Sequence, residues 1–135
     1  MKKSTKLLKF FGWMYLVTSL INLYLGIFNS EMLLGLKETA LIGLYRGIII
    51  HSSTFMMSIF LLIFSVYQLL LSYLILNKRD YFRIVGILGG LLFHIMILPW
   101  GWWSMFNLIF IIGLAYTLKK EFSSIDFTSK VFNDR

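Results

Sequence analysis

Residues 84–118 carry no formally charged side chain, and residues 10–28 carry none either. A third run, 48–76, holds His51 as its one ionisable group. Uncharged runs of this length constrain the chain more than any other feature, because about 20 apolar helical residues span a bilayer core. The composition agrees. Of 135 residues, 59% are hydrophobic, 18% aromatic and only 14% charged, with mean hydropathy +0.80. A soluble domain of this size buries about two thirds of its chain surface, which leaves too much apolar surface in water. A soluble globular protein, a disordered tail and a fibrous repeat are excluded. Inside a bilayer, only helices and closed barrels satisfy their own backbones, and a barrel needs many alternating strands. None is evident, so the expected fold is all-α.

The run 84–118 is too long for one crossing. The single proline stands mid-way, in Pro99-Trp100-Gly101, a turn signal. Four spans follow, at about 10–28, 48–76, 82–99 and 102–118, forming one membrane domain over 1–121 with a short polar tail at 122–135. The basic start before residue 10 resembles a signal peptide, but the run is long and no small-residue cleavage site follows; an uncleaved first span is expected.

The net charge of +7 would suit nucleic acid, but the cations lie in clusters between apolar runs, as membrane flanks do. Lys2, Lys3, Lys6 and Lys9 precede the first span. Lys78, Arg79 and Arg83 fill the second connection, and Lys119, Lys120, Lys130 and Arg135 follow the fourth span. Eleven of thirteen cations thus fall on one side. The positive-inside rule makes both termini cytoplasmic, in the plasma membrane of a bacterium or archaeon. Trp100, Trp102 and Trp103 then form an outer aromatic belt, and Tyr73, Tyr81 and Tyr116 an inner one. In the first connection, Ser30 can cap a helix and Glu31 suits its first turn. An imperfect apolar face over residues 30–45 predicts an outer interfacial amphipathic helix, running straight into the second span.

Polar residues inside the spans recur at helical spacing. Gly12, Tyr15, Ser19, Asn22, Gly26 and Asn29 form one seam; His51, Ser58, Ser65 and Ser72 form another, with Thr54 and Gln68 beside it. Gly86, Gly90 and His94 step by four, and Ser104 and Asn107 by three. Small residues let helices approach, and Ser or Asn can bond across the contact. Counted from the cytoplasmic end of each span, Asn22, Ser65, His94 and Asn107 all reach a depth of roughly 17 Å at 1.5 Å per residue. They are the candidate ligand-binding layer. His94 and Asn107 are equidistant from the proline turn, which makes them the expected direct pair, with Gln68 one turn below. Glu38, Arg46 and His51 are the candidates at the outer face, with Arg46 an anchor for Glu38 or an anionic ligand.

Other chemistry can be set aside. His51 and His94 differ in depth by on the order of 20 Å, too far to share one haem. A zinc site lacks ligands, and the chain has no cysteine, so no metal is expected. No carboxylate lies at membrane depth, and neither a nucleophile elbow nor a phosphate-binding glycine loop occurs.

Four short spans, a long first outer connection, Tyr45-Arg46-Gly47 entering the second span, and a Trp-rich hairpin near Asn107 are together similar to small DoxX-like membrane proteins. That resemblance implies a four-span topology and an association with membrane redox chemistry, with quinone as the ligand it suggests; it transfers no catalytic role. The residues themselves point first to a non-enzymatic subunit or accessory factor. It would have an outward-facing polar cavity for a lipid or small amphiphile, and its partners would be the bilayer, a second copy or another membrane protein. A redox-associated or lipid-modifying enzyme using His94 is the second reading and a transport component the third.

Overall fold

The computed structural model describes residues 6–38, 40–100 and 105–124. Among these residues all regular structure is helical. Four long helices, α1 (Lys6–Phe28), α3 (Thr54–Leu76), α4 (Asp80–Ile97) and α5 (Asn107–Ser124), are joined by shorter pieces. A 3-10 helix, Ser30–Glu38, and the short α2, Gly43–Ile50, connect α1 to α3; a 3-10 turn, Leu98–Trp100, extends α4. α1, α3, and α4 with its extension are each long and apolar enough to cross a membrane. Their 21 to 23 residues correspond to about 32–35 Å of helix. α5 has 18 residues and carries Lys119, Lys120 and Glu121 in its last turns.

Neighbouring long helices run antiparallel. Gly12 meets Leu76 while Gly26 meets Leu61, so α1 and α3 pass in opposite directions. Gly86 lies against Ile75, and Tyr67 donates to the Gly89 carbonyl at 3.0 Å, which sets α4 against α3. Arg83 bonds to Glu121 while His94 bonds to Asn107, which sets α5 against α4. The start of α1, the end of α3, the start of α4 and the end of α5 therefore share one end of the molecule, hereafter the basic end, with Lys6, Lys9, Lys78, Arg79, Lys119 and Lys120. Glycine is needed where these helices touch: a Cβ at Gly86 would stand 2.9 Å from the Ile75 backbone nitrogen.

One buried cluster draws on all four long helices, through Leu8, Phe11 and Tyr15, Leu71 and Ile75, Ile87 and Phe93, and Leu114. The outward faces are equally apolar. Phe28 is 72% exposed, Val66 69% and Ile112 68%, and exposed leucine, isoleucine and phenylalanine side chains cover every long helix. A soluble monomer rarely exposes an apolar patch above a few hundred Å², so this surface is compatible with a small membrane protein.

Three expectations change. Residues 48–76 are not one helix: α2 stops at Ile50 and α3 starts at Thr54. The cause is local. The Ser52 hydroxyl donates to the Ile48 carbonyl at 2.6 Å, and His51 Nδ1 lies 2.8 Å from the Gly47 carbonyl, so side chains satisfy the end of α2. Ser53 is extended and its Oγ accepts from the Met56 N–H at 3.3 Å, capping α3. Second, the connection expected as one amphipathic helix over 30–45 is two short helices separated around Ala40 to Ile42. Ala40 is buried with Ile49 and Met57, and Leu33, Leu34 and Tyr45 pack on them; tertiary burial overrides a continuous helix. Third, the helix expected over 102–118 runs from Asn107 to Ser124. It outlasts the apolar run because Glu121 is buried against Arg83 rather than solvated. Trp102, Trp103, Ser104, the Glu38 side chain and the tail beyond 124 lie outside the described residues.

At the end opposite the basic one, the two short helices cap the molecule. The Leu41 N–H donates to the Pro99 carbonyl at 3.0 Å and the Tyr45 hydroxyl to the Met96 carbonyl at 3.0 Å. Both contacts satisfy carbonyls that the end of α4 leaves open.

Candidate functional site

Beneath that cap lies a cavity of about 440 Å³, within the usual range for small-molecule sites. Its lining comes from every long helix and from the cap. The side chains Leu33, Phe64, Ile97 and Trp100 make its apolar walls. Trp100 is half-buried, with its ring 5.8 Å from Phe64 and 6.0 Å from Tyr45; it roofs the cavity.

The polar lining arises where the sequence seams converge. On α1, Tyr15 and Asn22 lie seven residues apart on one face. Asn22 Nδ2 donates to Gln68 Oε1 of α3 at 2.8 Å. On α4, Gly90 and His94 lie on the face toward α1 and α5. His94 Nδ1 is 2.6 Å from Asn107 Oδ1, at the first turn of α5. The imidazole stacks on Phe110, centroids 5.1 Å apart and 14° from parallel, and lies 5.8 Å from the Tyr15 ring. Gly90 makes room for that tyrosine: a Cβ there would come within 2.5 Å of the Tyr15 hydroxyl.

Among the described residues, two buried side-chain atoms near this point have no hydrogen-bond partner, Tyr15 Oη and His94 Nε2. Tyr15 is fully buried and His94 is 4% exposed. An unsatisfied buried polar group costs about 1–3 kcal/mol, so both atoms call for a partner beyond the described side chains. Among the described lining residues there is no Lys, Arg, Asp or Glu. The site can offer donors, acceptors and aromatic faces, and no formal charge.

The expected candidates divide. Asn22, His94 and Asn107 reach the cavity, and the His94–Asn107 pair forms. Ser65 does not reach it. The Ser19 hydroxyl donates to the Ser65 carbonyl at 2.8 Å and lies 3.2 Å from its Oγ, which seals both serines in the α1–α3 contact. Equal depth said nothing of rotation about the helix axis, and α3 turns Gln68 to the cavity instead. At the cap, Arg46 and His51 are both exposed; the His51 ring bonds within its own helix, and the described ion pairs all involve Arg83. Glu38, the third candidate there, has its side chain outside the described residues, and with it the expected Arg46 anchor.

Reading the sequence missed two features. Tyr15 was visible in the α1 seam, but aromatic residues at helical spacing are ordinarily core. The second is the buried ion pair at the basic end. Arg83 Nε and Nη2 donate to Glu121 Oε2 at 3.2 and 2.9 Å, Nη1 donates to the Lys78 carbonyl at 3.0 Å, and Nη2 also bonds Asp80. Its signal was available: Arg83 and Glu121 are opposite charges flanking adjacent apolar runs at the same end.

No family model, curated protein or solved structure matches the chain.

Proposed function

We propose that the chain is a four-span membrane protein, with both termini cytoplasmic, that holds a small amphiphile in the capped cavity and acts as a non-enzymatic accessory factor. The four crossings are assigned to the four apolar segments, the last over 102–118. The basic end, carrying exposed Tyr73, Tyr81 and Tyr116, is assigned to the cytoplasmic face, and the two short helices to the outer interface. The DoxX-like resemblance enters here only as support for this topology. One observation carries the functional reading: a cavity of about 440 Å³ with apolar walls, an uncharged polar wall and two unpartnered buried polar atoms. Such a lining suits a ligand that is mostly apolar with one polar group.

The test is native mass spectrometry of the protein purified in a mild detergent. A retained amphiphile at one per chain is expected, and the cavity-filling Ile97→Trp variant should lose it. A wild-type protein that carries nothing, or an adduct indifferent to Ile97→Trp, would refute cavity binding. For topology, reporter fusions at both ends should read cytoplasmic, and an external readout at either end would sink the four-span assignment. A second reading, an enzyme acting on the bound amphiphile, is favoured by one feature, the unpartnered His94 Nε2 on the cavity wall. Turnover that stops in a folded His94→Leu protein would support it.

A further inference from the structure

The polar atoms of the cavity can be sorted by what each has left to offer. Asn107 Oδ1 only accepts, so His94 Nδ1 beside it carries the ring proton, and Nε2 of the neutral ring is a bare acceptor. The Tyr15 hydroxyl, without a partner, has a proton to donate. The two atoms belong to neighbouring rings, whose centroids stand 5.8 Å apart with a 34° tilt. A group that satisfies both must donate to the histidine and accept from the tyrosine. A hydroxyl does both. A carbonyl only accepts and leaves Nε2 unsatisfied. A phosphate brings charge to a lining that holds no described cation to match it, and an unmatched charge in such surroundings is strongly disfavoured.

The position of the mouth supplies the rest of the occupant. Ile21 belongs to the lining and is also 51% exposed. With Met14 and Thr18 it lies on the flank of α1 that turns away from the Ser19–Gly26 seam against α3. On that flank α1 meets α5 through Phe11, against Phe110 and Gly113. The cavity therefore opens sideways onto an apolar outer surface, where a hydrocarbon chain can leave it.

Resting on the reading that the cavity takes an amphiphile, we infer that its occupant is an uncharged lipid alcohol. Its head hydroxyl donates to His94 Nε2 and accepts from Tyr15 Oη, and its chain passes Ile21 toward the membrane. Gly90 is a positioning residue for this site, because it alone leaves the Tyr15 hydroxyl its place.

The experiment uses the full chain in a neutral detergent and three probes with the same acyl chains: 1,2-dioctanoylglycerol, its 3-acetyl ester and dioctanoyl phosphatidic acid. Binding is read by native mass spectrometry and by the shift in melting temperature. The alcohol should bind one per chain, and the ester and the phosphatidic acid about tenfold more weakly, the loss of roughly one good hydrogen bond. Tyr15→Phe and His94→Leu, shown folded by unchanged helix content, should each weaken the alcohol about tenfold, and His94→Leu should leave the ester where it was. If the ester or the phosphatidic acid binds as tightly as the alcohol and Ile97→Trp still removes it, the cavity takes an amphiphile but the hydroxyl assignment is wrong. If no probe binds, or Ile97→Trp changes none of them, the cavity reading fails as well.

Discussion

The two ends of this molecule solve the problem of buried polarity in opposite ways. At the basic end, Arg83 is almost wholly buried, and its guanidinium meets Glu121, Asp80 and the Lys78 carbonyl. At the capped end, among the described residues, no charge lines the cavity, and Tyr15 Oη and His94 Nε2 have no hydrogen-bond partner. A charge taken out of water must be matched, and the described partners of Arg83 all come from the chain itself. A neutral polar group carries a smaller penalty, which the fold can tolerate and a ligand can remove. The difference teaches where to look for function: incompleteness sits where incompleteness is affordable.

The comparison breaks most easily at Glu121. Glu121→Ala leaves buried Arg83 with Asp80 as its one described charge partner and should cost about 3–5 kcal/mol, measured by unfolding in detergent micelles. The double variant Arg83→Met/Glu121→Leu should recover most of that loss, since matched apolar replacements of buried pairs are often neutral. A single-variant loss below about 1 kcal/mol would mean that water already reaches the pair, since that is the exposed-pair range.

A smaller contrast tests packing. Gly86→Ala presses a methyl onto the α3 backbone, 2.9 Å from the Ile75 nitrogen, and should cost about 1–3 kcal/mol. Gly90→Ala presses instead on the Tyr15 hydroxyl, the far end of a side chain rather than backbone, and should cost less while weakening amphiphile retention. Equal losses in the two variants would show that the capped end is packed as tightly as the rest.

The smallest effect has the opposite sign. Tyr15→Phe removes an unpartnered buried hydroxyl, so the ligand-free protein should gain up to about 1 kcal/mol. A clear loss in thermal unfolding would mean that the hydroxyl has a partner, such as a bound water, and that the capped end is as complete as the basic one.

Much of this arrangement was legible in the residues. The uncharged runs located the four long helices, because no polar alternative can occupy a bilayer core. The spacing of Gly12, Ser19 and Gly26 marked the face of α1 that packs, since only small residues admit a helix so near. His94 and Asn107 could be paired because each lies about the same number of residues from the turn expected at Pro99-Trp100-Gly101. Depth along a helix follows from counting residues at a constant rise. Rotation and the choice of neighbour do not, and these were decided by tertiary packing. Ser65 and Gln68 differ by less than one turn in height, yet the close α1–α3 contact seals the first with Ser19 and turns the second to Asn22 and the cavity. The break at His51 to Ser53 came from side chains competing for backbone groups while Ala40, Ile49 and Met57 gathered into their own cluster. The Arg83–Glu121 pair required the end of α5 to be brought against the start of α4. Hydrophobic periodicity determined which segments are helices and which faces hide; the directional needs of individual hydrogen bonds and charges, met only once the helices were side by side, determined which of the described polar groups found partners.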